Sequence, residues 1–174
     1  PEERQTQILS HIEDKEHAQD IVDLLRYDAD TAGGLMAKEL VKVNENWGVD
    51  TCVAEIREQG QHVTRVHSIY VVDDDEVLKG RLSLKDLLTA PPEAHIRDIY
   101  IPKVDFVFVH DTPEEVAHVM QKYNLEAIPV VDKMHRLVGR ITIDDIVDVI
   151  KEEAEHDYQL AAGITEDVEA DDTI

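Results

Sequence analysis

Two stretches of this chain, "YVVDDDEVLKGRLSLKDLL" (70–88) and "PVVDKMHRLVGRITIDDIV" (129–147), align without a gap. Asp73 matches Asp132, Gly80 matches Gly139, Arg81 matches Arg140, Ser83 matches Thr142 and Asp86 matches Asp145, each pair 59 positions apart. An internal repeat of this length restricts the fold to two copies of one small unit. A unit so short leaves an apolar sheet face that it cannot cover alone, so the copies are expected to pack on each other, and pairing into a homodimer is the natural extension.

Around each copy the pattern of elements is the same. "LVKV" reads as a strand, "WGVDTCVAEIREQG" as a helix, "SIYVVDDDEVLKGRLSL" as strand, turn and strand, and "LKDLLTA" as a helix stopped by Pro91 and Pro92. The second round is "VDFVFV", then "TPEEVAHVMQKYN" with Pro113 in its first turn, then "AIPVVDKMHRLVGRITI" and the closing helix "DDIVDVIKEEAEHD". The order is therefore β-α-β-β-α twice. Residues 1 to about 26 carry Ile8, Ile12, Ile21, Leu24 and Leu25 at helical spacing and predict one or two helices, broken by Gly33 and Gly34.

Composition narrows the partners. A hydrophobic content of 43% suffices for a core, and the formal charge of -22 disfavours nucleic acid and anionic membrane surfaces, which reward clustered Lys and Arg. Cationic partners suit it better. The single cysteine, Cys52, excludes an intramolecular disulfide and reads as a small buried hydrophobe. There is no run of about 18 apolar residues to span a bilayer. Because the chain starts at Pro1 and ends in the charged run "TEDVEADDTI", it is expected to be a piece of something longer.

The closing helix concentrates acids. At 100° per residue Asp145, Asp148, Glu152 and Glu155 fall within roughly 80° of arc, with Ile146, Val147, Ile150, Ala154 and Tyr158 on the other side. Like-charge pairs at these spacings cost about 0.2–0.5 kcal/mol each, on the order of 1 kcal/mol in all. Lys151 offsets part of this. The residues alone leave two readings open: a solvated acidic face, or a face that carries divalent cations. Magnesium, held by one or two carboxylates and its own waters, suits dispersed acids better than calcium, for which no EF-hand spacing is present. Nine scattered histidines and one cysteine offer no zinc pattern.

On these residues the repeat resembles the CBS domain, the regulatory module named after cystathionine β-synthase, in tandem form. The likeness rests on "GRLSLKD" (80–86) and "GRITIDD" (139–145), each placed after strand-turn-strand. A second resemblance is narrower: "LLRYDADTAGGLM" (24–36), a CBS pair and an acidic helix are similar to the cytosolic part of MgtE-type magnesium transporters. It implies an α/β (α+β) fold with four parts. Residues 1–32 would be the last helices of a truncated N-terminal domain, 33–98 and 99–150 the two CBS domains, and 151–174 a connecting helix and tail leading to an absent pore domain.

The resemblance also implies the sites. The motif's hydroxyl and carboxylate, Ser83 and Asp86 in the first copy and Thr142 and Asp145 in the second, would hold a nucleotide at a strand-to-helix turn. The first copy would be the better ATP site, with Lys85 at the phosphates and the base near Leu125 and Pro129. Helix caps without a ligand remain the alternative for these residue types. Glu114, Asp145, Asp148, Glu153 and Asp157 would contact Mg²⁺, with Gly34 through its backbone oxygen. Thr112, Asn124 and His156 stand where the family often has acids, and this bears on the number of sites.

The function so implied is a Mg²⁺-sensing regulator that gates a transporter by metal-stabilised compaction of a CBS homodimer at the cytoplasmic face of the membrane, with ATP as a second ligand. The rival is an adenine-nucleotide-sensing CBS module of another protein. A hydrolase built on Asp144, Asp145 and Asp148 has the acids but no nucleophile beside a base, so no enzyme is expected.

Overall fold

The computed structural model describes the backbone of residues 26–172 and the side chains of 26–162. The helices expected over residues 1 to about 26 lie almost wholly outside the described residues. The chain runs through α1 (Ala32–Leu35), β1 (Val41–Asn44), α2 (Val49–Gly60), β2 (Ile69–Val72), β3 (Leu78–Leu82) and α3 (Leu84–Thr89). It continues through α4 (Ile96–Ile99), β4 (Val107–Phe108), α5 (Pro113–Lys122), β5 (Ala127–Val131), β6 (Leu137–Thr142) and α6 (Ile143–Asp172). The strands form two sheets of identical topology, β1-β2-β3 and β4-β5-β6, each with a parallel first pair and an antiparallel second pair.

The repeat is obeyed down to its irregularities. Ile69 pairs Leu82 as Ile128 pairs Ile141, and a bulge falls between Val71 and Val72 as it does between Val130 and Val131. Each hairpin turn carries one residue in the left-handed region, Glu76 at φ 66° and His135 at φ 62°. A non-glycine residue is uncommon there, and the turn is held by an aspartate that accepts two backbone hydrogen bonds. Asp73 Oδ1 accepts from the N–H groups of Asp75 and Val77, and Asp132 Oδ1 from those of Met134 and Arg136. The hairpins then pair across a pseudo-twofold axis, Leu78 N–H donating to His135 O at 3.0 Å and Leu137 N–H to Glu76 O at 2.9 Å.

The two copies also exchange short segments. α1 docks on the second sheet: Ala32 and Gly33 donate to the carbonyls of Asp111 and Val109, and Ala37 forms a reciprocal bridge with Arg140. α4 docks on the first sheet, where Ile101 forms the matching bridge with Arg81. Hence Ala32 and Met36 belong to the core of the second copy with Val116, Met120, Ile128 and Ile146. Ile96 belongs to that of the first copy with Val43, Val71 and Leu87. A smaller cluster of Tyr70, Val72 and Leu137 joins the copies.

Cys52 is fully buried in the first core, and burial pushes its thiol up to about 11, in keeping with a structural role. The strand expected from "VDFVFV" shrinks to Val107–Phe108, because Val104 turns instead to the inter-repeat cluster. The closing helix is longer than its apolar face. Ile146 is buried and Val147 and Ile150 pack on the second core, but Ala154 is exposed and Tyr158 is 76% exposed. The expectation that Ala154 and Tyr158 pack is therefore corrected: past Ile150 this side of the helix faces solvent, while Glu153 and Asp157 still border the start of α5. Among the described residues no helix is long and apolar enough to cross a membrane.

Candidate functional site

Two regions gather the residues singled out from the sequence. The first is an acidic concavity of about 260 Å³ between the start of α5 and the middle of α6. Thr112 caps α5, its Oγ1 accepting from Glu115 N–H at 3.2 Å while the Glu115 carboxylate accepts from Thr112 N–H, and Pro113 occupies the first position. Buried Val116 and Met120 pack this helix against Ile146 and its neighbours on α6. The packing brings Glu114 to the rim beside Glu153, with Asp157 one turn further along and Asp30 from the segment before α1.

The carboxyl groups of Glu114 and Glu153 stand close enough on this rim to perturb one another. Their mutual interaction holds Glu114 below the usual carboxylate range and Glu153 above it, and the charges of Glu114, Asp157 and Asp30 add to the upward push on Glu153. Two carboxylates brought this close repel each other, and a divalent cation between them relieves that repulsion. Among the described residues no three acidic, histidine or cysteine side chains converge as a complete metal-holding group. A pair of carboxylates fits Mg²⁺, whose shell is otherwise water, better than an ion that needs a protein cage.

Of the metal contacts implied by resemblance, the fold thus unites Glu114, Glu153 and Asp157. Asp148 is exposed elsewhere on α6, and Asp145 borders a different cavity. Gly34 sits in α1, where a Cβ would collide with the Asp28 carbonyl oxygen, leaving no room for a side chain. Asp30 escapes the sequence reading, though it lies in the "DADTAGGLM" stretch that carries the resemblance.

The second region is the cleft between the copies. One cavity there, about 340 Å³, has Val104, Leu125 and Pro129 as apolar wall and Tyr70, Arg81 and Lys103 as polar wall. Leu125 and Pro129, which the resemblance names for the base, line one cavity. Ser83, Lys85 and Asp86 are not on this wall; the Ser83 Oγ caps α3, accepting from Asp86 N–H at 3.4 Å. Thr142 and Asp145 instead face a second cavity of about 340 Å³, with Arg65, His67 and Glu126.

Two buried polar atoms in this cleft have no hydrogen-bond partner, Tyr70 Oη and His67 Nδ1. Burial, then Arg140 and Arg65, lower the His67 imidazole below its ordinary value. An apolar wall, two cations against the single acid Asp105, and an orphaned hydroxyl fit a nucleotide: the wall would take the base, and Arg81 and Lys103 the phosphates.

Comparison with known proteins now places this architecture. The CBS domain model matches residues 32–93 and 96–152, and the chain belongs to the CBS-domain family as a tandem pair. Within that class it is homologous to the cytosolic domains of MgtE magnesium transporters. It is 42% identical over 134 residues to magnesium transporter MgtE of Thermus thermophilus, covering 77% of this chain and 30% of that protein. It is 38% identical over 149 residues to the Enterococcus faecalis transporter, covering 86% and 33%. The chain spans about a third of the length of these curated relatives. Among solved structures, the cytosolic domain of the Mg²⁺ channel MgtE in complex with ATP matches with a TM-score of 0.71 at 40% identity, over 78% of this chain and 55% of that one. The soluble part of a magnesium transporter matches at 0.74 and 36% identity, over 84% and 57%.

Proposed function

We propose that this chain is the Mg²⁺-sensing regulatory region of a magnesium transporter, paired as a homodimer at the cytoplasmic face of the membrane. In this reading Mg²⁺ binds between α5 and α6, bridges the repelling carboxylates of Glu114 and Glu153, and stabilises the compact arrangement. The connecting helix α6 passes that preference to a pore domain. Metal stabilises only the state that binds it better, by an amount set by the difference in affinity. Adenine nucleotide in the inter-repeat cavity biases the same equilibrium, with no catalysis required. The observation that carries the reading is the contact of Glu114 with Glu153, with Asp157 and Asp30 on the same rim.

Titration of Mg²⁺ into the chain and into Glu153→Gln, followed by calorimetry at constant ionic strength, tests it. The variant is expected to bind at least tenfold more weakly, while melting higher than the parent in EDTA because a repelling charge is gone. Equal affinities would reject the site. If Mg²⁺ fails to bind either protein while ATP binds tightly, the adenine-nucleotide-sensing module of another kind of protein becomes the better account.

A further inference from the structure

We propose that the Tyr70 hydroxyl determines what the inter-repeat cavity accepts, by donating a hydrogen bond to the base of an adenine nucleotide seated there. The inference rests on the nucleotide reading above and adds to it the residue that recognises the base. Tyr70 lies on β2, is 2% exposed, and packs its ring with Val72 and Leu137 in the cluster that joins the two copies. That packing fixes the ring, so the hydroxyl cannot swing out to bulk water. A buried tyrosine hydroxyl ordinarily finds a partner, because leaving one unsatisfied is costly. Here Oη has no hydrogen-bond partner, and Tyr70 lines the cavity next to Ser68.

The rest of the wall says which part of a ligand meets this hydroxyl. Leu125, Pro129 and Val104 present the apolar surface on which a planar base lies, while the cations Arg81 and Lys103 suit a polyphosphate. An adenine ring offers nitrogen acceptors along its edges, which a neutral phenol can meet as donor. Burial, opposed by Ser68 and Arg140, pushes the Tyr70 hydroxyl up to about 12, so it keeps its proton at neutral pH. Nothing in the GRxSxxD-type motifs signals this residue, since it lies in the strand before them.

Tyr70→Phe removes the oxygen and keeps the ring. Calorimetric titration of ATP and AMP in EDTA, paired with thermal unfolding of the nucleotide-free protein, reads two opposed effects. The variant is expected to bind both nucleotides about tenfold more weakly, the size of one lost buried hydrogen bond. Without nucleotide it should unfold no lower than the parent, since the atom removed had no partner. Inorganic tripolyphosphate, which lacks a base, should show no difference between the two proteins. Unchanged ATP and AMP affinity in the variant would overturn the role of Tyr70 and leave the nucleotide reading standing. A lower melting point for the nucleotide-free variant, or an equal loss for tripolyphosphate, would likewise overturn it. Absence of nucleotide binding in the parent would remove the nucleotide reading and this inference together.

Discussion

Gly80→Val is expected to lower stability by about 3 kcal/mol, the upper part of the range for overpacking a tight contact. At this chain length that is a fall of roughly 6–12 °C in the unfolding midpoint. A Cβ at Gly80 would meet the Ile101 carbonyl oxygen almost at once and would stand 2.7 Å from the Tyr100 ring. The obstacle is backbone, and it belongs to the exchanged segment that bridges Arg81 in both directions. Valine at this position must therefore break that bridge or push α4 off the first core. Gly139→Ala is the informative comparison. There a Cβ meets Met36 Sδ at 2.6 Å and the Ala37 carbonyl oxygen at 2.8 Å; the thioether can partly swing aside but the carbonyl cannot, so a loss of the same sign but smaller size is expected. Thermal or urea unfolding followed by circular dichroism checks both; a midpoint for Gly80→Val equal to that of the parent would contradict the exchanged packing.

Ile146→Ala should cost about 2–4 kcal/mol, the usual range for truncating a fully buried isoleucine. Ile146 is 1% exposed among Met120, Val116, Ile128 and Ile141, and it is the residue that ties α6 into the second core. Tyr158→Ala, twelve positions further along the same helix, should change stability by less than about 0.5 kcal/mol, as exposed substitutions usually do. Equilibrium unfolding of both variants maps where the helix parts from the domain. A large loss at Tyr158, or none at Ile146, would mean that α6 is docked along a different face.

How far this could be read from the sequence depends on the range of the interaction concerned. The paired motifs at a spacing of 59 carried the topology, the hairpin turns and the pairing of the copies, because each of those is repeated and local. The exchange of α1 and α4 was not legible, since a four-residue helix has too little periodicity to declare which sheet it covers. Nor did Glu76 and His135 announce left-handed turns; neither is Gly or Asn, and only the aspartate three positions earlier in each turn hints at them.

The acidic site shows the same limit. Helical periodicity alone put Asp145, Asp148, Glu152 and Glu155 on one face, yet the acids that meet across elements are Glu114 and Glu153. Which turn of α6 faces α5 is decided by Met120 and Ile146 in the core, which is tertiary packing. Family resemblance had named Glu114, Glu153 and Asp157, and the fold brings them to one concavity with Asp30. Tyr70 was legible as a strand residue and no more. Its significance comes from an atom without a partner, which is visible only once the copies are packed.

The central claim is that magnesium, by neutralising carboxylates that otherwise repel, favours a more compact arrangement of this chain. Small-angle X-ray scattering measures this most directly, comparing the radius of gyration in millimolar Mg²⁺ with that in potassium chloride of equal ionic strength, so that general screening is the same in both. The account predicts a smaller radius in Mg²⁺ for the parent and a weaker response for Glu153→Gln. Superimposable curves in the two salts would contradict it.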